Sequence, residues 1–181
     1  MRSKPAHHSS KVQEVAAIYI TPPTPTASKG TRKVSSAGGG GIVASLAQGQ
    51  PGRGGAGEYT LPRLIESLKA GLPVQELHDL RSSLDLPMES LVPMLGISKA
   101  TLHRRMAAGR LDAAESDRVI RFARLMGRAV GVMESTENAR RWLAAPQRAL
   151  GGAVPLEYAE TEVGAREVED LLGRIEYGVY S

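Results

Sequence analysis

The sequence predicts an all-α fold in three parts: a flexible tail over residues 1–57, a helical bundle over 58–133 and a small helical domain over 134–181. Three observations predict it. From Leu61 onward, apolar residues recur at steps of three and four, the period of a helix that buries one face. Helix start and stop residues punctuate that pattern at Pro62, Gly71, Pro73, Pro87, Gly96, Ser98 and Ser135. Before residue 58 large apolar residues are sparse, and many of the 20 Gly and 11 Pro crowd together.

The tail contains Pro22-Pro23, Pro25, Ser35-Ser36 and the run Gly38 to Gly41. Such a segment buries too little apolar surface to offset its ordering entropy, so it is expected to be mostly disordered. One island, Val12 to Ile20, is expected to form a short helix or strand on contact with a partner. Lys29, Arg32, Lys33 and Arg53 are candidates for nonspecific contact with a nucleic-acid backbone, beside the alternative of a plain flexible tail. Gly52, Gly54 and Gly57 formally satisfy G-x-G-x-x-G, but no strand precedes them, so a dinucleotide site is rejected.

The chain lacks cysteine, which removes disulfides and Cys-ligated metals and suits a reducing, cytoplasmic setting. No apolar run reaches the roughly 18 residues of a membrane helix, and the N-terminus does not read as a signal peptide. The net charge of +4 conceals an asymmetry: residues 1–57 carry about +6, residues 58–133 about +2 and residues 134–181 about −4. A basic front and an acidic rear suit a polyanion and a cationic protein surface as separate partners, beside the alternative of charges that merely solubilise the surface.

Leu61, Leu64, Ile65 and Leu68 share one helical face; Pro62 suits its first turn and Gly71 its end. Val74, Leu77, Leu80 and Leu84 follow at the same steps, then Leu91, Val92 and Leu95 after Pro87. Gly96 to Met106 reads GISKATLHRRM. Gly96 makes the turn, Ile97 plugs it and Ser98 caps the next helix, with Leu102 and Met106 expected to face the core. Ser98, Lys99, Thr101, His103, Arg104 and Arg105 are then left pointing outward. This stretch resembles the helix-turn-helix of Xre-class repressors, in which the second helix lies in the major groove and its early residues meet base edges. Those six residues are therefore the candidate DNA contacts; Arg can donate two bonds to guanine, and Ser and Thr reach bases or phosphates.

Leu111 to Met133 is expected to be the longest helix, with Asp112, Glu115 and Asp117 at its positive end. It is apolar over more than half its circumference, so it should be buried in the bundle and against a second copy or the terminal domain. Arg118, Arg121, Arg124 and Arg128 read as its solvated stripe.

Ser135-Thr136-Glu137 opens a helix bearing the only Trp, Trp142, which runs into Pro146. Gly151-Gly152 and Pro155-Leu156 follow, and a last amphipathic helix starts near Thr161 and runs to about Gly178. Val168, Leu171, Leu172 and Ile175 form its apolar face. Tyr177, Val179 and Tyr180 are apolar at a chain end that usually carries polar residues, as in a segment that docks into a partner. The order of Ala139, Trp142-Leu143, Pro146, Leu150, Gly152, Pro155-Leu156, Thr161, Gly164, Val168, Leu171-Leu172, Ile175 and Tyr177-Gly178 resembles the C-terminal toxin-binding domain of the Xre/MbcA/ParS antitoxins.

That resemblance implies an antitoxin paired with a RES-domain toxin, an enzyme that consumes NAD or transfers ADP-ribose. It implies steric inhibition, with the last helix and chain end across the toxin's NAD pocket. The contact set expected from it is Glu162, Arg166, Glu169, Asp170, Arg174, Tyr177, Val179, Tyr180 and Ser181. It further implies a homodimer within a toxin–antitoxin hetero-oligomer, bound to operator DNA in its own promoter. Neither membrane nor cofactor is expected. No convergent catalytic set appears: His7 and His8 lie in the tail, His78 and His103 have no metal-spaced acid and His partner, and no G-x-S-x-G or P-loop is present. The alternatives are a stand-alone helix-turn-helix regulator with a self-associating terminal domain, and an adaptor without a DNA role.

Overall fold

The computed structural model describes residues 41–49 and 61–179, which fall within one compact unit, Gly38–Ser181. The expectations for Val12 to Ile20, the tail's basic residues, Gly52 to Gly57, Tyr180 and Ser181 lie outside the described residues. The described part is helical: α1 (Ile42–Ala47), α2 (Leu61–Ala70), α3 (Val74–Leu84), α4 (Met88–Met94), α5 (Lys99–Ala108), α6 (Ala113–Met133), α7 (Thr136–Ala144), a single 3-10 turn (Arg148–Leu150), α8 (Pro155–Tyr158) and α9 (Glu162–Glu176).

Helix α6 is the axis. Val119, Ile120, Phe122, Ala123, Leu125, Met126 and Ala129 are all buried, and α1, α2, α3, α7 and α9 pack around them. Its start is set locally. Asp112 accepts the Glu115 amide (2.7 Å) while Glu115 accepts the Asp112 amide (2.8 Å), a reciprocal cap that satisfies two otherwise orphaned donors. Ser135 and Thr161 cap α7 and α9 by one-way bonds, accepting the amides of Asn138 (3.3 Å) and Gly164 (3.0 Å).

The bundle and terminal domain are not joined by a linker. Helix α6 ends at Met133, Glu134 turns the chain at φ 53°, and α7 begins two residues later. Arg140 on α7 then reaches back to α3, donating to the carbonyls of Ser83 (2.8 Å) and Ser82 (2.9 Å). A cation on the orphaned carbonyls of a helix end is favourable both as hydrogen bond and against the dipole. Gln147 closes α7 similarly, its Nε2 donating to the carbonyls of Trp142 and Ala145 (3.0 Å each).

Two expectations need correction. The sequence predicts mostly disorder through residue 57, yet within that stretch α1 is a packed helix with Ile42, Val43 and Ala47 buried. Its N-terminal amides at Ile42 and Val43 donate to the buried carboxylate of Glu76 on α3 (3.0 and 2.8 Å). Its last turn rests on Gly127 of α6, where a Cβ would collide with the Leu46 carbonyl. Six residues carry too little period to be read alone; their partners lie far along the chain. The arginine series on α6 is not simply a wet stripe either. Arg118 donates to the Leu95 carbonyl (2.9 Å), and Arg121, Arg124 and Arg128 pair with Glu162 (2.9 Å), Glu169 (3.5 Å) and Glu176 (2.6 Å) of α9.

Candidate functional site

The turn between α4 and α5 is built by short-range forces. Gly96 takes φ 62°, a left-handed conformation that a side chain would strain, and donates to the Pro93 carbonyl (2.8 Å). Ile97 is 4% exposed and fills the turn. Ser98 Oγ accepts the Thr101 amide (3.1 Å) and donates to Thr101 Oγ1 (3.0 Å), so both hydroxyls are engaged in the cap.

Helix α5 buries no residue completely. Lys99, His103 and Arg104 are exposed along it. Leu102 is half-buried, but Met106 is 42% exposed and does not face the core. Arg105 does not point outward. Its Nη2 lies 2.6 Å from Asp112 and its Nε 2.7 Å from Glu115, the two capping acids of α6. The carboxylates hold its guanidinium more firmly charged than usual, the Glu115 hydrogen bond contributing most. Beyond α5 the chain pairs with the α2–α3 connection: Val74 donates to Gly109 (3.1 Å), Leu111 to Leu72 (2.8 Å) and Arg110 Nη2 to Gly71 (2.6 Å).

The expected partner contacts on α9 separate into two faces. Glu162 and Glu169 turn toward α6 and Arg121 and Arg124, lining with Asp117 and Arg166 a charged groove of about 380 Å³. Arg166 chiefly, with Arg121 and Arg124, holds the Glu162 carboxyl below the usual range. Arg121 Nε sits 2.9 Å from Glu162 yet lacks hydrogen-bond alignment, a pair held by charge alone. Arg166 stands at the rim of that groove, and from it Asp170, Arg174 and Tyr177 follow on the outer face at helical steps of four, four and three. Arg166 pairs with Glu162 (3.1 Å) and Arg174 with Glu167 (3.2 Å); Asp170 is exposed with no ion pair among the described residues. Tyr177 is 77% and Val179 55% exposed. Val163, 79% exposed and three residues before Arg166, extends this stripe; it was missed, although its five-residue offset from Val168 already turns it off the apolar face. Among the described residues no group of acids and histidines is arranged to hold a metal, and no helix is long and apolar enough to cross a membrane.

Comparison with known proteins matches both regions. Residues 63–124 match the antitoxin Xre-like helix-turn-helix domain, and residues 128–178 match the antitoxin Xre/MbcA/ParS C-terminal toxin-binding domain. An antitoxin Xre of Yersinia enterocolitica is 36% identical over 120 residues, covering 65% of this chain and 81% of that protein. An antitoxin Xre of Photorhabdus laumondii is 34% identical over 122 residues, covering 66% and 82%. A protein of a Sphingobium species named Prs ADP-ribosylating antitoxin is 25% identical over 127 residues, covering 65% and 80%. With its Xre-like helix-turn-helix followed by that C-terminal domain, the chain belongs to the Xre/MbcA/ParS antitoxins, the neutralising members of toxin–antitoxin systems.

Proposed function

We propose that this antitoxin neutralises a RES-domain toxin, an NAD-consuming or ADP-ribosylating enzyme, by laying the outer face of α9 across its NAD pocket. The observation that carries this reading is the stripe of exposed Val163, Arg166, Asp170 and Tyr177 with half-buried Arg174 among them, continued by Val179. Apolar residues at both ends of a stripe with charges between them fit a desolvated contact with a polar rim. Asp170 is the acid free to meet a cationic pocket; Glu162 and Glu169 are occupied within the chain and serve the joint with α6. The name of the Sphingobium relative is in keeping with this class of toxin.

In the same reading α5 binds operator DNA in the antitoxin's own promoter, and two copies read two half-sites. The exposed apolar side chains of Leu61 and Ile65 on α2, 74% and 49% accessible, support pairing of two copies there. The cytoplasm is where such a repressor meets its promoter.

The test is co-expression with the product of the adjacent gene, scoring growth and co-purification. Wild-type antitoxin should restore growth and copurify. Asp170→Arg with Tyr177→Ala should fold, lose the complex and leave cells poisoned, because central aromatic and charged contacts dominate such interfaces, at about 2 kcal/mol or more each. Full protection by that double variant would move the contact off this face of α9.

A further inference from the structure

We infer that Arg105 is a positioning residue that sets the angle of the recognition helix rather than a group that touches DNA. This rests on the DNA-binding reading above. Arg105 is the residue that sequence order most naturally offers to DNA beside Arg104, yet the two diverge. Arg104 is exposed, while the Arg105 side chain is 22% exposed and folded back onto α6. Its fork engages two different carboxylates, at 2.6 and 2.7 Å, and these are the N-cap and third residue of α6. Glu115 is 5% exposed, so its charge depends on the guanidinium and on the Asp112 amide for compensation. Swinging Arg105 out to a phosphate would strip a buried carboxylate of its cation, a change that one phosphate contact does not offset.

The consequence is geometric. Helix α5 buries no side chain completely, so packing alone holds its orientation loosely. Arg105 ties its last turn to the first turn of α6, and the pairing of residues 109–111 with 71–74 fixes the chain just beyond. Together they fix the end of α5 and so aim its first two turns. Base and phosphate contacts then fall to Lys99, His103 and Arg104, and Arg105 in addition halves the negative charge of the two acids close to the DNA-facing helix.

The experiment compares a duplex from upstream of the antitoxin's own reading frame with a scrambled duplex, across a salt series, using the full chain. Arg104→Ala should weaken binding and lower the salt slope by ~0.9, the loss of one phosphate contact. The second variant is Asp112→Asn with Glu115→Gln, which keeps both capping groups and so the fold while untying Arg105. It should cut the preference for the upstream duplex at least about fivefold and leave the arginine itself intact. If Arg105 instead contacts DNA, releasing it from its acids raises or preserves that preference, and Arg105→Ala lowers the slope as Arg104→Ala does; either result overturns the proposal. A wild-type protein without preference for the upstream duplex would refute the DNA-binding reading itself, a distinct outcome.

Discussion

Glu76 is an acid buried on α3 whose two oxygens serve the first amides of a helix some 34 positions earlier in the chain. Burial raises its carboxyl above the usual range, and the two amide bonds only partly offset that. The folded state therefore holds this proton more tightly than the unfolded state does. The stability Glu76 contributes is full at pH below the unfolded carboxylate value and declines as pH rises through the raised one. Replacing it, Glu76→Ala, leaves two buried amides unmatched and should cost about 1–3 kcal/mol. Urea titrations at several pH values check both statements: the gap between wild type and variant should be widest at acidic pH and narrow upward. A gap that widens toward neutral pH would mean that the two amides, not burial, govern this carboxyl.

At the scale of the element, α1 shows where sequence reading stops. Caps and turns are local, so Ser98, Ser135 and Thr161, Gly96 with Ile97, and the long apolar helix ending at Met133 were all legible from neighbours a few residues apart. Helix α1 was not, because its first two amides are satisfied by Glu76 and the carbonyl of Leu46 in its last turn lies on Gly127. The fate of Arg105 was hidden for the same reason, since its partners lie seven and ten residues onward across a turn. Close backbone contact makes a sharp test of α1. A methyl group at Gly127 meets the Leu46 carbonyl head on, so Gly127→Ala should lift α1 from α6. Overpacking of this kind costs about 1–3 kcal/mol, and hydrogen exchange at residues 43–47 should accelerate far more than exchange in α7 or α9. Unchanged protection there would show that α6 bends to absorb the methyl group.

Over the whole molecule, the two family-matched regions share one helix. Residue 124 closes one match and residue 128 opens the other, both on α6, and the described residues form one compact unit. The joint is made twice more, by Arg140 on the end of α3 and by Glu162, Glu169 and Glu176 on the arginines of α6. The Arg124–Glu169 and Arg128–Glu176 pairs are largely solvent-exposed and each is worth about 0–1 kcal/mol, so buried α6 side chains such as Phe122 must dominate the coupling. Bundle and terminal region should therefore unfold together. Trp142 on α7 is the only Trp in the chain, which makes its fluorescence a local probe of the terminal region, while far-ultraviolet dichroism reports every helix. Their urea transitions should coincide, as two-state unfolding requires. Phe122→Ala should move both midpoints down by the same amount, for a loss of about 3–5 kcal/mol. Arg140→Ala should move both by less, since it removes two hydrogen bonds at the surface of the joint. If fluorescence falls well before dichroism, the terminal region opens on its own, and α6 carries two modules rather than the axis of one.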